Sequence, residues 1–241
     1  MIAAIDAVNW SALPNPTWHD GDAPERVAHA LRLLAVSTTA NETGNAASLL
    51  SGAGFVCGHA AMVFPAAHAA TPILLDLAEH GQRPRIRDVS VSLLSDALAC
   101  FPPAGHHRVR TPYGDDVPLC CAIARHIRGR RSALLAHGRH GKQLLAEAGL
   151  HWRLTIEETE RHPDGSLTAL AVLEGAPFGT PVDAEVHTSP RAQPAPTAHT
   201  RIDDLTTDAA GAAYLHLGRP PAEPLPAGTV LYSAECGLRA H

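Results

Sequence analysis

Apolar side chains recur every three or four positions through the first 150 residues of the chain and every second position after them. Between Pro84 and Cys100, the residues Ile86, Val89, Leu93, Leu94, Ala97 and Leu98 are spaced to share one face of a helix with 3.6 residues per turn. Upstream, Pro65 suits a first helical turn, and Ala69, Ile73, Leu74, Leu77 and Ala78 carry an apolar stripe to Gly81, a stop signal. These two segments predict a helical hairpin. Further helices are expected over residues 23–36, with Pro24 near the start, over 45–50 with an extension to Cys57, over 116–128, and over 132–148. Asp115 and Asp116 read as N-cap residues of the third of these. Gly138 and Gly141 predict a break in the fourth, because each costs about 1 kcal/mol against Ala inside a helix. Antiparallel pairs spaced roughly 40 to 45 residues apart predict an α-solenoid of about three repeats.

From His151 the period falls to two. Residues 153–159 alternate, His162-Pro-Asp-Gly165 is a turn, 167–173 is a second strand and 179–187 alternates again. A Pro-rich loop over 189–197 precedes strand candidates at 200–205, 212–217 and 229–236. Short strands at this density predict a small antiparallel β-sandwich. The expected fold is α+β in two domains, helical repeats over 1–150 and the sandwich over 151–241.

Composition agrees with folded domains: of 241 residues, 45% are hydrophobic and 18% charged, too apolar for a disordered chain. The first ten residues lack a basic region and an apolar run of signal-peptide length, and nowhere do 18 apolar residues follow one another; the expectation is a cytoplasmic chain without a membrane segment. The five cysteines, Cys57, Cys100, Cys120, Cys121 and Cys236, form no C-x-x-C pair and are expected as buried free thiols. The net charge of −5 hides a division: residues 106–142 carry eight basic and two acidic side chains, and residues 143–241 carry six and thirteen. The basic stretch includes Arg125, Arg128, Arg130 and Arg131, which either face phosphate-bearing ligands or an acidic protein surface, or form a solvated or docked helix face.

Two resemblances add to this reading. Asp6-Ala-Val-Asn-Trp10-Ser-Ala-Leu13, Ala23-Pro-Glu-Arg-Val-Ala-His-Ala-Leu31, Gly58-His59, Val63-Phe-Pro-Ala-Ala67 and Ala70-Thr-Pro-Ile-Leu-Leu75-Asp-Leu-Ala78 resemble HEAT-like repeat proteins common in actinobacteria. In that family the His is followed by Gln-Gly-Thr; here it is followed by Ala60-Ala61-Met62. The likeness covers residues 5–100, more weakly to 148, and implies stacked helices. Gly179-Thr-Pro-Val-Asp-Ala-Glu-Val186 and Thr207-Asp-Ala-Ala-Gly-Ala-Ala213 look like immunoglobulin-like or transthyretin-like modules of bacteria, which implies strands and turns and carries no catalytic residue.

Sixteen histidines raise the question of a metal, but no H-E-x-x-H or Cys/His ribbon spacing is present, and no metal or organic cofactor is expected. His59, beside Cys57 and ahead of the helix at Pro65, reads either as a partner of a helix end or as an acid/base group of a pocket. Tyr113, Trp152 and His68 are candidate ligand-binding residues. Glu157, Glu158 and Glu160 read as a solvent face, and Asp203, Asp204 and Asp208 as turn residues or a cation site. Helical-repeat DNA glycosylases share only the architecture, because Trp10, Trp18 and Trp152 sit at the start and at the domain junction. With no Gly-rich phosphate loop either, nucleic-acid and nucleotide chemistry are disfavoured. Two functional readings follow: a scaffold whose concave helical face holds a protein partner, or a cofactor-independent tailoring enzyme, a cyclase or isomerase, with its small-molecule pocket at the domain junction.

Overall fold

The computed structural model describes residues 1–17, 19, 22–52, 54–188, 198–218 and 225–240; Trp18 and the Pro-rich stretch 189–197 lie outside them. The chain forms two compact units. The first comprises Met1–Val109, Pro118–Ala148 and Arg239–His241, the second Arg110–Val117 and Gly149–Leu238.

The first unit is helical. It holds α1 (Ile2–Asp6), α2 (Pro24–Val36), α3 (Ala40–Gly52), α4 (Ala66–His80), α5 (Pro84–Ala99), α6 (Leu119–Gly129), α7 (Arg131–Leu135) and most of α8 (Gly138–Leu150), with a two-stranded hairpin of β1 (Val56–Cys57) and β2 (Met62–Val63). Helices α2 and α3 pack as one pair and α4 and α5 as another. Their apolar stripes meet in one core, where Leu31, Leu34, Leu50, Phe55, Leu74, Leu77 and Leu94 are fully buried. Each contributes about 1.5–3 kcal/mol by leaving water. The helix expected from Asn45 begins five residues earlier, because Thr39 and Glu42 form a capping box. The Thr39 hydroxyl accepts from the Glu42 amide at 3.2 Å, and the Glu42 carboxylate accepts from the Thr39 amide at 3.0 Å. The predicted break falls between α7 and α8, at Gly138 with φ +59°. Gly141 is required there too, since a Cβ would lie 1.7 Å from the Leu134 carbonyl oxygen.

A second hairpin, β3 (Arg108–Thr111) and β4 (Gly114–Pro118), corrects the sequence reading of Asp115 and Asp116 as helix caps. Both lie on β4, and α6 starts only after Pro118. Thr111-Pro-Tyr-Gly114 is the reason: Pro at the second position and Gly at the fourth favour a tight turn, and the Thr111 hydroxyl donates to the Gly114 carbonyl at 3.1 Å.

The second unit is a closed six-stranded antiparallel barrel, not the expected sandwich. Strands β5 (Arg153–Arg161), β6 (Leu167–Glu174), β7 (Val182–His187), β8 (Ala198–Thr207), β9 (Ala212–Leu217) and β10 (Val230–Ser233) run in the order β10-β5-β6-β9-β8-β7, and β7 pairs back onto β10. Bulges between Ile156 and Glu158 and between Ile202 and Asp204 supply curvature. A six-stranded barrel has a narrow interior, and the core alternates Leu154, Ile156, Leu167, Leu215, Leu217 and Leu231 with four alanines, Ala169, Ala171, Ala184 and Ala213. A five-residue helix, α9 (Ala234–Leu238), follows β10 and packs on β7.

Candidate functional site

Strand β7 alternates faces, so Ala184 and Val186 enter the barrel core while Glu185 and His187 project from its outer face. Outward positions on a strand are ordinarily wet. Here Glu185 is only 1% exposed and His187 9%. Helix α9 covers this face: a Cβ built on Gly237 would lie 1.5 Å from a Glu185 carboxylate oxygen, so the carboxylate fills the space that only glycine leaves open. Burying a carboxylate is expensive unless donors meet it. One donor is His187, whose Nε2 lies 3.2 Å from Glu185 Oε2. The His187 and Tyr232 rings meet at nearly a right angle, with centroids 5.0 Å apart and planes at 83°. Tyr232 pairs with Glu185 and Val230 with His187 in the β7–β10 ladder, which puts all four on one face.

This face opens into a cleft of about 350 Å³, within the size range of small-molecule sites. The β3–β4 turn supplies Thr111, Tyr113 and Asp115 to one wall; His187, Thr188 and Tyr232 form the other. The Tyr113 amide donates to the Thr111 hydroxyl at 3.2 Å, which fixes the turn that carries the tyrosine. Asp115 accepts from Arg110 Nε at 2.7 Å at the rim. With Glu185 as the carboxylate, His187 donates from Nε2 and carries its lone pair on Nδ1, for which no hydrogen-bond donor is found among the described residues. Such an arrangement can accept a proton from a bound molecule and stabilise the resulting imidazolium.

A second histidine pair lies inside the helical unit. His68 on α4 and His126 on α6 have their Nε2 atoms 3.3 Å apart and their rings tilted by 41°. Burial, then the neighbouring His126, pushes His68 down to about 4. Burial, then Arg125, pushes His126 down as well. Both rings are therefore neutral near pH 7, one donating and the other accepting.

The other residues singled out from sequence are scattered. His59 is exposed at the turn between β1 and β2, and Cys57 is half-buried on β1, paired with Met62. Trp152 stacks on Phe178 at 4.2 Å inside the barrel core, a packing role. Tyr113 lines the cleft. Of the basic residues, Arg130 bridges Asp76 at 2.7 Å and Glu79 at 2.9 Å on α4, and Arg128 donates to the Ala148 carbonyl at 2.8 Å. Arg125 is half-buried, and Arg131 is exposed. Arg125, Arg128 and Arg130 thus do not form one free cationic surface. Glu157, Glu158 and Glu160 are exposed, and the Asp208 carboxylate accepts from the Ala210 and Ala212 amides at 2.8 and 2.9 Å, which is turn chemistry.

Sequence reasoning passed over Glu185, His187 and Tyr232. The available signal was Glu-x-His at strand spacing, two ionisable groups on one face of a strand whose other face is apolar. No helix among the described residues is long and apolar enough to cross a membrane. The chain matches none of the protein-family models and none of the curated proteins it was compared with.

Proposed function

We propose that the barrel unit handles a small polar molecule and moves a proton on it without an organic cofactor. The observation that carries this reading is the buried Glu185–His187 pair at the wall of the cleft. His187 Nδ1 takes a proton from an acidic C–H or O–H of the bound molecule. Glu185 holds the imidazolium, and the proton returns to another atom of the same molecule. Atoms balance within an isomerisation or cyclisation, the reaction types anticipated from sequence. Tyr113 and Tyr232 give the cleft aromatic walls for an organic ligand. Its site lies within the second unit rather than on His59 and Cys57.

The test is exchange of substrate hydrogen with solvent. The protein is incubated in D₂O with a panel of enolisable carbonyl compounds, and deuterium incorporation is read by mass spectrometry. Incorporation above the buffer rate is expected for the native chain, falling by about 10²–10⁴-fold in His187→Ala. Equal incorporation in native and His187→Ala protein would remove His187 as the base.

A second reading rests on the paired helices α2–α3 and α4–α5, in keeping with a short HEAT-like α-solenoid that holds a protein partner. Ala61, where the resembling family has the glycine of its His-Gln-Gly-Thr motif, has φ +49°, a backbone suited to glycine. Native mass spectrometry of the chain from its own host separates the readings: a stoichiometric protein complex favours the scaffold, a bound small molecule the cleft. The five free cysteines fit a reducing, cytoplasmic setting for either.

A further inference from the structure

The barrel unit carries one more pair of chemically able side chains, distinct from Glu185 and His187. His151, just ahead of β5, and Cys236, in α9, are 8% and 6% exposed. Eighty-five residues separate them in sequence, yet His151 Nδ1 lies 3.2 Å from Cys236 Sγ.

Zinc binds an imidazole nitrogen at about 2.0–2.1 Å and a thiolate at about 2.3 Å, so two such ligands on one tetrahedral ion stand roughly 3.5 Å apart. The observed separation needs a change of only a few tenths of an ångström to accept the ion, and the two ligand atoms already lie within the span that one ion bridges. Helix α9 also needs an anchor. Five residues are far too few for a helix to persist on its own hydrogen bonds, yet α9 must stay in place for Gly237 to support the Glu185 carboxylate.

We propose that His151 Nδ1 and Cys236 Sγ are two ligands of a structural zinc ion that fastens α9 to the start of the barrel. On binding, the Cys236 thiol releases its proton to solvent, His151 keeps its proton on Nε2, and no electron is transferred. The burial of both ligands makes the site structural rather than catalytic.

The test uses the full chain, stripped of metal under reducing conditions and titrated with Co²⁺ and then Zn²⁺. One Co²⁺ per chain is expected, with a thiolate-to-metal charge-transfer band whose intensity counts the thiolates and which Zn²⁺ abolishes. Cys236→Ala and His151→Ala should weaken binding ten-fold or more, while His151→Cys keeps stoichiometric binding and strengthens the band. Should the variants fail to fold, native protein suffices: chelation is expected to lower its unfolding midpoint and one equivalent of Zn²⁺ to restore it. Absence of stoichiometric cobalt binding, an unchanged spectrum in Cys236→Ala, or a midpoint indifferent to chelation overturns the proposal and leaves an S–H···N hydrogen bond.

Discussion

In the helical unit a half-buried histidine meets another histidine; in the barrel unit a buried histidine meets a carboxylate. His68 and His126 face each other with no negative group in the pair, so desolvation decides and the charged form of each ring is disfavoured. His187 meets Glu185, which gives a proton on its ring a place to be stabilised. The pairs differ in partner as well as in depth, the histidine pair being half-buried and the Glu185–His187 pair buried. The first pair is held neutral near pH 7, whereas the second sets an imidazole beside a carboxylate, the geometry on which the proposed proton transfer rests.

The contrast breaks most sharply if the carboxylate is neutralised. Glu185→Gln keeps the shape but removes the charge and presents an amide able to donate to Nε2, which reverses the tautomer. Deuterium incorporation should fall by about 10²–10⁴-fold with the fold intact by circular dichroism. Retained exchange would mean that Glu185 only packs.

Acid should act on the first pair. An unfolded histidine titrates near 6.5 and folded His68 near about 4, so between these values the unfolded chain binds a proton that the folded one refuses. The stability from His68 is complete above pH 6.5, declines as pH falls towards 4, and changes no further below it. Its size is at most about 3 kcal/mol, and His126 adds to it with the same sign. In His68→Gln, the drop in denaturation midpoint between pH 7 and 4.5 should shrink relative to native protein. An identical drop would place the acid sensitivity elsewhere.

The smallest effect concerns turns. Most left-handed positions in both units are glycines, as at Gly165 with φ +87° in the barrel unit and Gly138 with φ +59° in the helical one. In the helical unit, the β1–β2 turn uses Ala61 at φ +49°. Ala61→Gly should raise stability by about 1 kcal/mol, read as a higher unfolding midpoint. No gain would show that the turn's hydrogen bonds, such as Phe101 N–H to the Ala61 carbonyl at 2.8 Å, already absorb the strain.

The helical unit was legible where structure is local. The stripe from Ile86 to Leu98 marks α5 because residues three and four apart meet on the same helix, and Gly81 marks the turn before it. The start of α3 was equally local, written in Thr39 and Glu42, but an apolar count cannot see a polar cap. Strands of the barrel were legible one at a time; closure was not, because it depends on pairs such as Val230 with Thr155 and with His187 that no short window contains. The cleft stayed hidden for a related reason. Glu185 and His187 alternate with Ala184 and Val186 as solvent-facing residues do, and it takes distant segments, among them α9 some fifty residues later over Glu185, to bury them.

That closure through β10 also sets a timetable. Strand β5 begins at residue 153 and its partner β10 at residue 230, 77 residues further along. At roughly 5–20 residues per second, a ribosome needs about 4–15 s to supply them. Until β10 arrives the nascent sheet stays open, its unpaired edges lying on β5 and β7 once β6 to β9 have joined, each able to pair with a strand from a neighbouring chain. The helical hairpins α2–α3 and α4–α5, whose partners emerge close together, have no such wait. The consequence of closure through β10 is therefore that the edges of the nascent sheet are protected only when the last strand has been made.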